Sequence, residues 1–166
     1  MPSLWIIDGY NFIRRSRRFS EWESKAPEEG RRAALQWLAD FSALTGEKVS
    51  VVFDAYSGLH RDLKVDEFQG IQVIRSRGGY TADEEIIALA QEKGQGAIVI
   101  SSDKEIQKAA VKSGASILES SEFERELAKI FEREGSSREA ADRSKGNAFR
   151  PPKEKKKALS ILRKYQ

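Results

Sequence analysis

Three apolar runs in this 166-residue chain each stop at an aspartate: LWIID at Asp8, VSVVFD at Asp54 and AIVISSD at Asp103. The runs are short and mostly continuous rather than alternating, the pattern of strands buried on both faces. Two further runs, at 71–74 and, more weakly, at 116–118, bring the expected number of strands to five. Amphipathic segments lie between and after them. Residues 29–45 place Ala34, Trp37, Leu38, Phe41 and Leu44 on one face, and similar stripes run through 82–93, 103–113 and 121–134. Helical spacing of this kind is most simply core packing.

The local punctuation supports this order. Thr81 with Glu84, Ser102 with Glu105 and Ser121 with Glu124 have capping-box spacing. Gly46, Gly94, Gly114 and Gly135 follow the helical stretches as C-terminal caps. The alternation predicts an α/β fold: a doubly wound, mainly parallel five-stranded sheet with helices on both faces. Residues 57–70 read as an irregular, mixed-charge connection, a short helix or a flap.

The domain is expected to occupy 1–135, and 136–166 to form a basic linker and tail. Residues 143–166 hold nine Lys/Arg, including Lys155, Lys156 and Lys157, and one acid, Glu154. A last helix is expected over 153–165, with Leu159, Leu162 and Tyr165 along one side. It either docks on the domain or lies as a basic arm on RNA or a ribonucleoprotein; a basic segment beside a mildly acidic body suits a polyanion.

Composition removes several chemistries. There is no cysteine, which excludes disulfides, thiolate metal sites and cysteine nucleophiles, and the one histidine, His60, cannot build a multi-histidine site. No signal peptide or membrane span is read, so the expected location is the cytoplasm. No GxxxxGK phosphate loop is present, and no DxD follows the first strand. A triphosphatase and an aspartyl-phosphate hydrolase are disfavoured accordingly.

In an open α/β sheet, ligands bind at the carboxyl edge of the strands. Asp8, Asp54 and Asp103 would meet there, joined by Asp83 at the start of a helix. Asp8 in a turn, Asp54 as a cap, and Asp83 and Asp103 in first helical turns also have ordinary structural roles. Convergence is what singles them out. Carboxylates that repel one another suit a hard divalent cation, Mg²⁺ or Mn²⁺, and phosphate chemistry. In IIDGYNF, Asn11 can orient a carboxylate, a water or a phosphate, and Gly9 lets the backbone approach a ligand. Ser102 is expected to cap its helix. Glu84 and Glu105 are expected to make capping bonds rather than hold metal.

Arg14, Arg15, Arg17 and Arg18 crowd four guanidinium groups into five positions, forming either a solvated face or a phosphate-binding rim. Arg75 and Arg77 follow the third predicted strand, and Lys104 flanks Asp103. Tyr10, Tyr56 and Tyr80 each sit beside a motif, as packing residues or as platforms for unpaired bases.

The motifs IIDGYNFI, VVFDAY, YTADEEI and VISSDKEIQ, in this order, resemble the NYN branch of the PIN-like ribonucleases, and within it the bacterial YacP-like group. The resemblance covers roughly residues 3–131. It implies a parallel sheet with an acidic pocket that binds magnesium or manganese and cleaves RNA. By motif position, Asp8, Asp83 and Asp103 are the implied metal-binding acids, and Asn11 and Asp54 are further pocket residues. Some YacP-like proteins are ribosome-associated endoribonucleases that cut mRNA, which makes RNA and the ribosome the implied partners. The competing expectations are a non-catalytic RNA- or ribosome-binding module, and another phosphoryl-transfer enzyme.

Overall fold

The computed structural model describes residues 3–55, 64–135 and 152–166. Six strands form one sheet: β1 (Leu4–Asp8), β2 (Lys48–Phe53), β3 (Lys64–Phe68), β4 (Ile71–Arg75), β5 (Ala97–Ile100) and β6 (Ser116–Leu118). Their spatial order is β3-β4-β2-β1-β5-β6, and all neighbours are parallel except the β3–β4 pair. Among the described residues there are seven α-helices, α1 (Gly9–Arg15), α2 (Ser20–Lys25), α3 (Pro27–Thr45), α4 (Ala82–Lys93), α5 (Lys104–Lys112), α6 (Ser120–Gly135) and α7 (Lys153–Arg163), and one 3-10 turn, Gly94–Gly96. The doubly wound, mainly parallel sheet is as expected, with one strand more.

Alternation along each buried strand sends side chains to two different cores. Trp5, Ile7, Val51, Phe53, Ile98 and Ile100 face a core of large side chains closed by α1, α3, α6 and α7. Trp5 sits edge-on to Phe41 at 5.4 Å and stacks on Phe123 at 5.6 Å between ring centroids. Each such fully buried side chain is worth roughly 1.5–3 kcal/mol of transfer free energy. Ile6, Val52, Ile74 and Val99 face a core of smaller side chains under α4 and α5. Ala158, Leu159 and Leu162 of α7 are buried in the first core, so this helix is packed on the body. Leu44, expected on the core face of α3, is exposed.

The sixth strand corrects the reading of 57–70 as irregular, of which 57–63 lie outside the described residues. β3 exposes Lys64, Val65, Asp66 and Glu67, so it carries no apolar run to announce it. Its charges suit an edge strand, where they discourage pairing with other chains. Gln69 and Gly70, with φ of 45° and 90°, turn it back onto β4. A two-residue loop with both φ positive matches the twist of a hairpin.

Strand order also locates the ligand crevice. From β1 the chain moves outward through β2 and β4, then returns to place β5 on the other side of β1. The carboxyl ends of β1 and β5 therefore flank the switch point, where side chains can enter from both halves.

Candidate active site at the switch point

Asp8 ends β1, and α1 begins at once with Gly9, with no intervening turn. The continuous strand-to-helix passage brings Gly9 hard against the Phe53 ring. A Cβ at Gly9 would lie 2.4 Å from Phe53 Cε1. The glycine therefore serves packing between β1 and β2, rather than the ligand approach read from the sequence. Asn11 falls in the first turn of α1. Its Oδ1 accepts from the Ser102 backbone N–H at 2.9 Å and from Ser120 Oγ at 2.7 Å. One amide thus ties the starts of α1 and α6 to the loop after β5.

Asp8 is 7% exposed. The buried Ser101 hydroxyl donates to its Oδ2 at 2.9 Å and accepts from the Asp103 N–H at 3.1 Å. Burial above all lifts the Asp8 carboxyl from 3.8 to about 6; the Asp83 and Asp103 charges add to the rise, while the bonds from Ser101 and the Asn11 backbone N–H oppose it. Asp83 is raised too, first by burial and then by the charges of Asp103, Asp54 and Glu84. These influences join the four aspartates into one electrostatic neighbourhood, in which ionising one carboxylate disfavours the next.

The local anchors of the other acids differ from one another. Asp54, exposed after β2, accepts from the Ala82 N–H at 2.6 Å through Oδ1 and so fastens the start of α4. Thr81 and Glu84 form the expected capping box there. Asp103, rather than Ser102, caps α5: its Oδ1 accepts from Glu105 N at 2.8 Å and Ile106 N at 3.4 Å. The sequence SSD offers two capping residue types side by side, and the Ser102 N–H is already committed to Asn11. The third expected capping box also fails. α6 starts at Ser120, and Glu124 instead accepts from Ser16 Oγ at 2.6 Å and from the Arg17 and Arg18 backbone N–H groups.

The donor set at this edge is all oxygen: carboxylates, the Asn11 amide and the Ser101 and Ser102 hydroxyls. That chemistry fits a hard divalent cation, which would offset the penalty that burial and the neighbouring carboxylates place on ionised Asp8 and Asp83. Among the described residues, however, no group of three or more His, Cys, Asp or Glu side chains is arranged to hold a metal ion. Asp103 and Asp54 have each turned one oxygen to a helix start, so coordination by the full set requires side-chain adjustment.

The basic residues are dispersed. Arg14, Arg15, Arg17 and Arg18 are exposed at the end of α1 and in the loop that follows. Glu124 ties that loop to the first turns of α6. Arg14 lies over Tyr10 and Arg18 over Trp37, at 5.6 and 5.1 Å from the ring centroids. Arg75 lines an open cavity of about 400 Å³ between α3 and the β3–β4 hairpin. Arg77 is held by the buried Glu85, and Lys104 Nζ by Glu119 at 3.1 Å. Lys155 pairs with Glu122 at 3.0 Å, Lys157 Nζ donates to the Gln95 carbonyl, and Lys156 is exposed. Gln95 lies just before β5, so Lys157 stands at the opposite end of the sheet from the acids. Tyr10 packs edge-on against Phe53 at 5.0 Å, whereas Tyr80 is exposed. Tyr56, His60 and residues 136–151 lie outside the described residues.

Sequence reading missed the structural partners of the site: Ser120 on Asn11, Glu85 on Arg77, and the double role of Ser101. Contacts across 93 and 109 positions of chain leave no local signal.

An acidic switch point on a doubly wound sheet of this topology is the architecture of an NYN domain, a nuclease-like, RNA-related class. The chain belongs to the YacP-like NYN domain family, whose pattern it matches over residues 5–165. It is 35% identical over 88 residues to the uncharacterized protein YacP of Bacillus subtilis (strain 168), a stretch covering 52% of this chain and 50% of that relative. The crystal structure of Rae1 (YacP) from Bacillus subtilis superposes with a TM-score of 0.66 at 32% identity, covering 82% of this chain and 79% of that one. A single-substitution mutant of the same protein gives 0.64 at 28% identity, covering 83% and 86%.

Proposed function

We propose that the protein is a divalent-metal-dependent endoribonuclease that hydrolyses phosphodiester bonds of single-stranded RNA. The observation that carries this reading is Asp8 at the switch point, whose burial, with smaller additions from the charges of Asp83 and Asp103, raises its carboxyl to about 6. Asp8, Asp83 and Asp103 would hold Mg²⁺ or Mn²⁺, and Asp54 would serve as a further ligand or as an acceptor for ligand-bound water. A cation in such a site supplies hydroxide near neutral pH and neutralises charge on the phosphoryl oxygens.

The residues around the acids have separable tasks. Ser101 fixes the rotamer of Asp8 and couples it to the backbone of Asp103. Asn11 locks the loop after β5 against α1, which holds the two strand ends in register. Arg14, Arg15, Arg17 and Arg18 would provide the positive rim that draws a polyanion toward an acidic crevice. Arg75 and Lys104 are further phosphate contacts in this reading, with Lys155 and Lys156 contributing from α7. Lys157 is the weakest candidate because of its place at the far end of the sheet. mRNA on the ribosome, in the cytoplasm, is the substrate suggested by the resemblance to ribosome-associated YacP-like endoribonucleases. Among the described residues no helix is long and apolar enough to cross a membrane.

Incubation of a single-stranded RNA and of a translating mRNA with Mn²⁺, Mg²⁺ or EDTA, using wild type and Asp8→Asn, tests the proposal. Metal-dependent cutting that disappears in the variant is expected. RNA or ribosome binding without cutting by either protein would leave a non-catalytic binding module instead.

A further inference from the structure

Beside the acids, the chain presents an aromatic ring whose position is fixed from beneath. Trp22 and Tyr80 are the only exposed aromatic side chains among the described residues, and Tyr80 is 51% exposed. Arg77 Cζ lies over the Tyr80 ring at 4.6 Å from its centroid. That guanidinium is also gripped by Glu85, with Nε to Oε1 at 2.7 Å and Nη2 to Oε2 at 3.2 Å. Glu85 is 3% exposed and sits in the first turn of α4. A forked, two-bond pair fixes the guanidinium plane, which a single contact would not do. The Tyr80 N–H also bonds the Arg77 carbonyl at 3.0 Å, closing the turn that carries the ring.

The placement matters as much as the rigidity. Two residues after Tyr80, the Ala82 N–H bonds Asp54, and Asp83 follows directly. The ring therefore sits on the turn that leads directly into the helix start bearing Asp83 and fastened by Asp54, with one face against Arg77 and half its surface open. Pairing the buried Glu85 needs only Arg77; it does not need a phenol ring held outward in water. An exposed aromatic face of fixed orientation suits a flat apolar partner, and ordering it in advance removes part of the entropic cost of binding.

We infer that Tyr80 is a stacking platform for one unpaired base of the RNA, set in place by Glu85 acting through Arg77. The inference rests on RNA being the substrate. It assigns Arg77 to positioning the ring rather than to a phosphate, and makes Glu85 a positioning residue outside the metal-holding set. The platform accepts any base by its π-face, so it would set where the strand lies relative to the acids without dictating sequence.

The test is a set of single-stranded RNAs, each carrying at a different position a fluorescent adenine analogue whose emission falls on stacking. They are bound to the Asp8→Asn protein in EDTA. Quenching confined to one or two adjacent positions is expected, lost when Tyr80→Ala is added, kept with Tyr80→Phe and weakened by Glu85→Gln. In the cleavage assay, Tyr80→Ala alone should raise KM roughly tenfold with kcat near wild type, and Tyr80→Phe should restore it. Quenching and KM unchanged by Tyr80→Ala would overturn the platform while leaving a cutting enzyme intact. Tyr80-dependent quenching without any wild-type cleavage would uphold the platform and remove the nuclease reading. Absence of RNA binding would remove both.

Discussion

At the carboxyl end of the parallel strands the chain gathers like charges, whereas at the amino end it pairs nearly everything it buries. Asp8, Asp54, Asp83 and Asp103 share the first region, and Asp8 and Asp83 are pushed toward protonation by burial and by their neighbours. In the second region, Trp5 Nε1 donates to Glu47 at 3.1 Å, Ser42 Oγ to the Glu47 carbonyl at 2.7 Å and the Tyr165 hydroxyl to the Thr45 carbonyl at 2.9 Å. α7 seals that side with Ala158, Leu159 and Leu162. The contrast separates what the fold needs from what it tolerates. One end lowers the free energy of the folded chain, and the other holds carboxylates whose burial and mutual repulsion a cation or a proton can relieve.

The largest expected effect sharpens the stabilising end. Leu162→Ala removes a fully buried side chain from the first core and should cost about 2–5 kcal/mol in chemical unfolding. The folded fraction should still cut RNA at the wild-type rate per molecule. Loss of specific activity without loss of stability would show that the two ends are not separable.

Asp8→Asn should act in the opposite sense on stability. With the folded carboxyl at about 6 against 3.8, native Asp8 binds its proton more tightly than the unfolded chain does. Its contribution is present below pH 4 and lost as pH rises through about 6. In EDTA the variant should therefore exceed wild type by about 1–3 kcal/mol at pH 7, and the gap should close by pH 4. A wild type more stable than the variant at pH 7 would mean that burial and its acidic neighbours do not penalise the ionised Asp8.

Gly9→Ala tests the packing directly beneath the acidic end, where α1 leaves β1. The new Cβ meets the Phe53 ring, the rigid wall between β1 and β2, and overpacking of this kind costs about 1–3 kcal/mol. Thermal unfolding reads it directly, and an unchanged Tm would refute the packing role. The smallest effect belongs to Lys157→Gln, a surface contact at the amino end. Stability should shift by less than about 0.5 kcal/mol, and cleavage should not move. A clear loss of RNA affinity there would place nucleic acid at the wrong end of the sheet for this account.

The strand-end aspartates were legible because a buried strand writes its own signature in continuous apolar residues, and strand polarity then delivers its last residue to a common edge. β3 was not, since an exposed edge strand of mixed charge looks like a loop; Gln69–Gly70 was its one local mark. The passage from Asp8 into α1 was hidden by Asp-Gly, a pair that usually signals a turn. The capping of α5 was ambiguous because Ser102 and Asp103 are both good caps, and only the distant Asn11 decides between them. The same applies to the basic residues: sequence placed Arg77, Lys104 and Lys155 near useful positions, but the acids that hold them come from Glu85, Glu119 and Glu122. Chain-local chemistry was readable, and partners chosen by tertiary packing were not.

Everything proposed for the carboxyl edge depends on its being a metal-assisted RNA-cleaving site. Asp103→Asn tests it most directly, because asparagine caps a helix about as well as aspartate and removes only the charge. Single-turnover cleavage of a single-stranded RNA across a Mn²⁺ titration should be saturable in wild type and absent in the variant, with both proteins unfolding at similar temperatures. A variant that folds normally and cuts at the wild-type rate would exclude Asp103, and with it the proposed metal site, from the reaction.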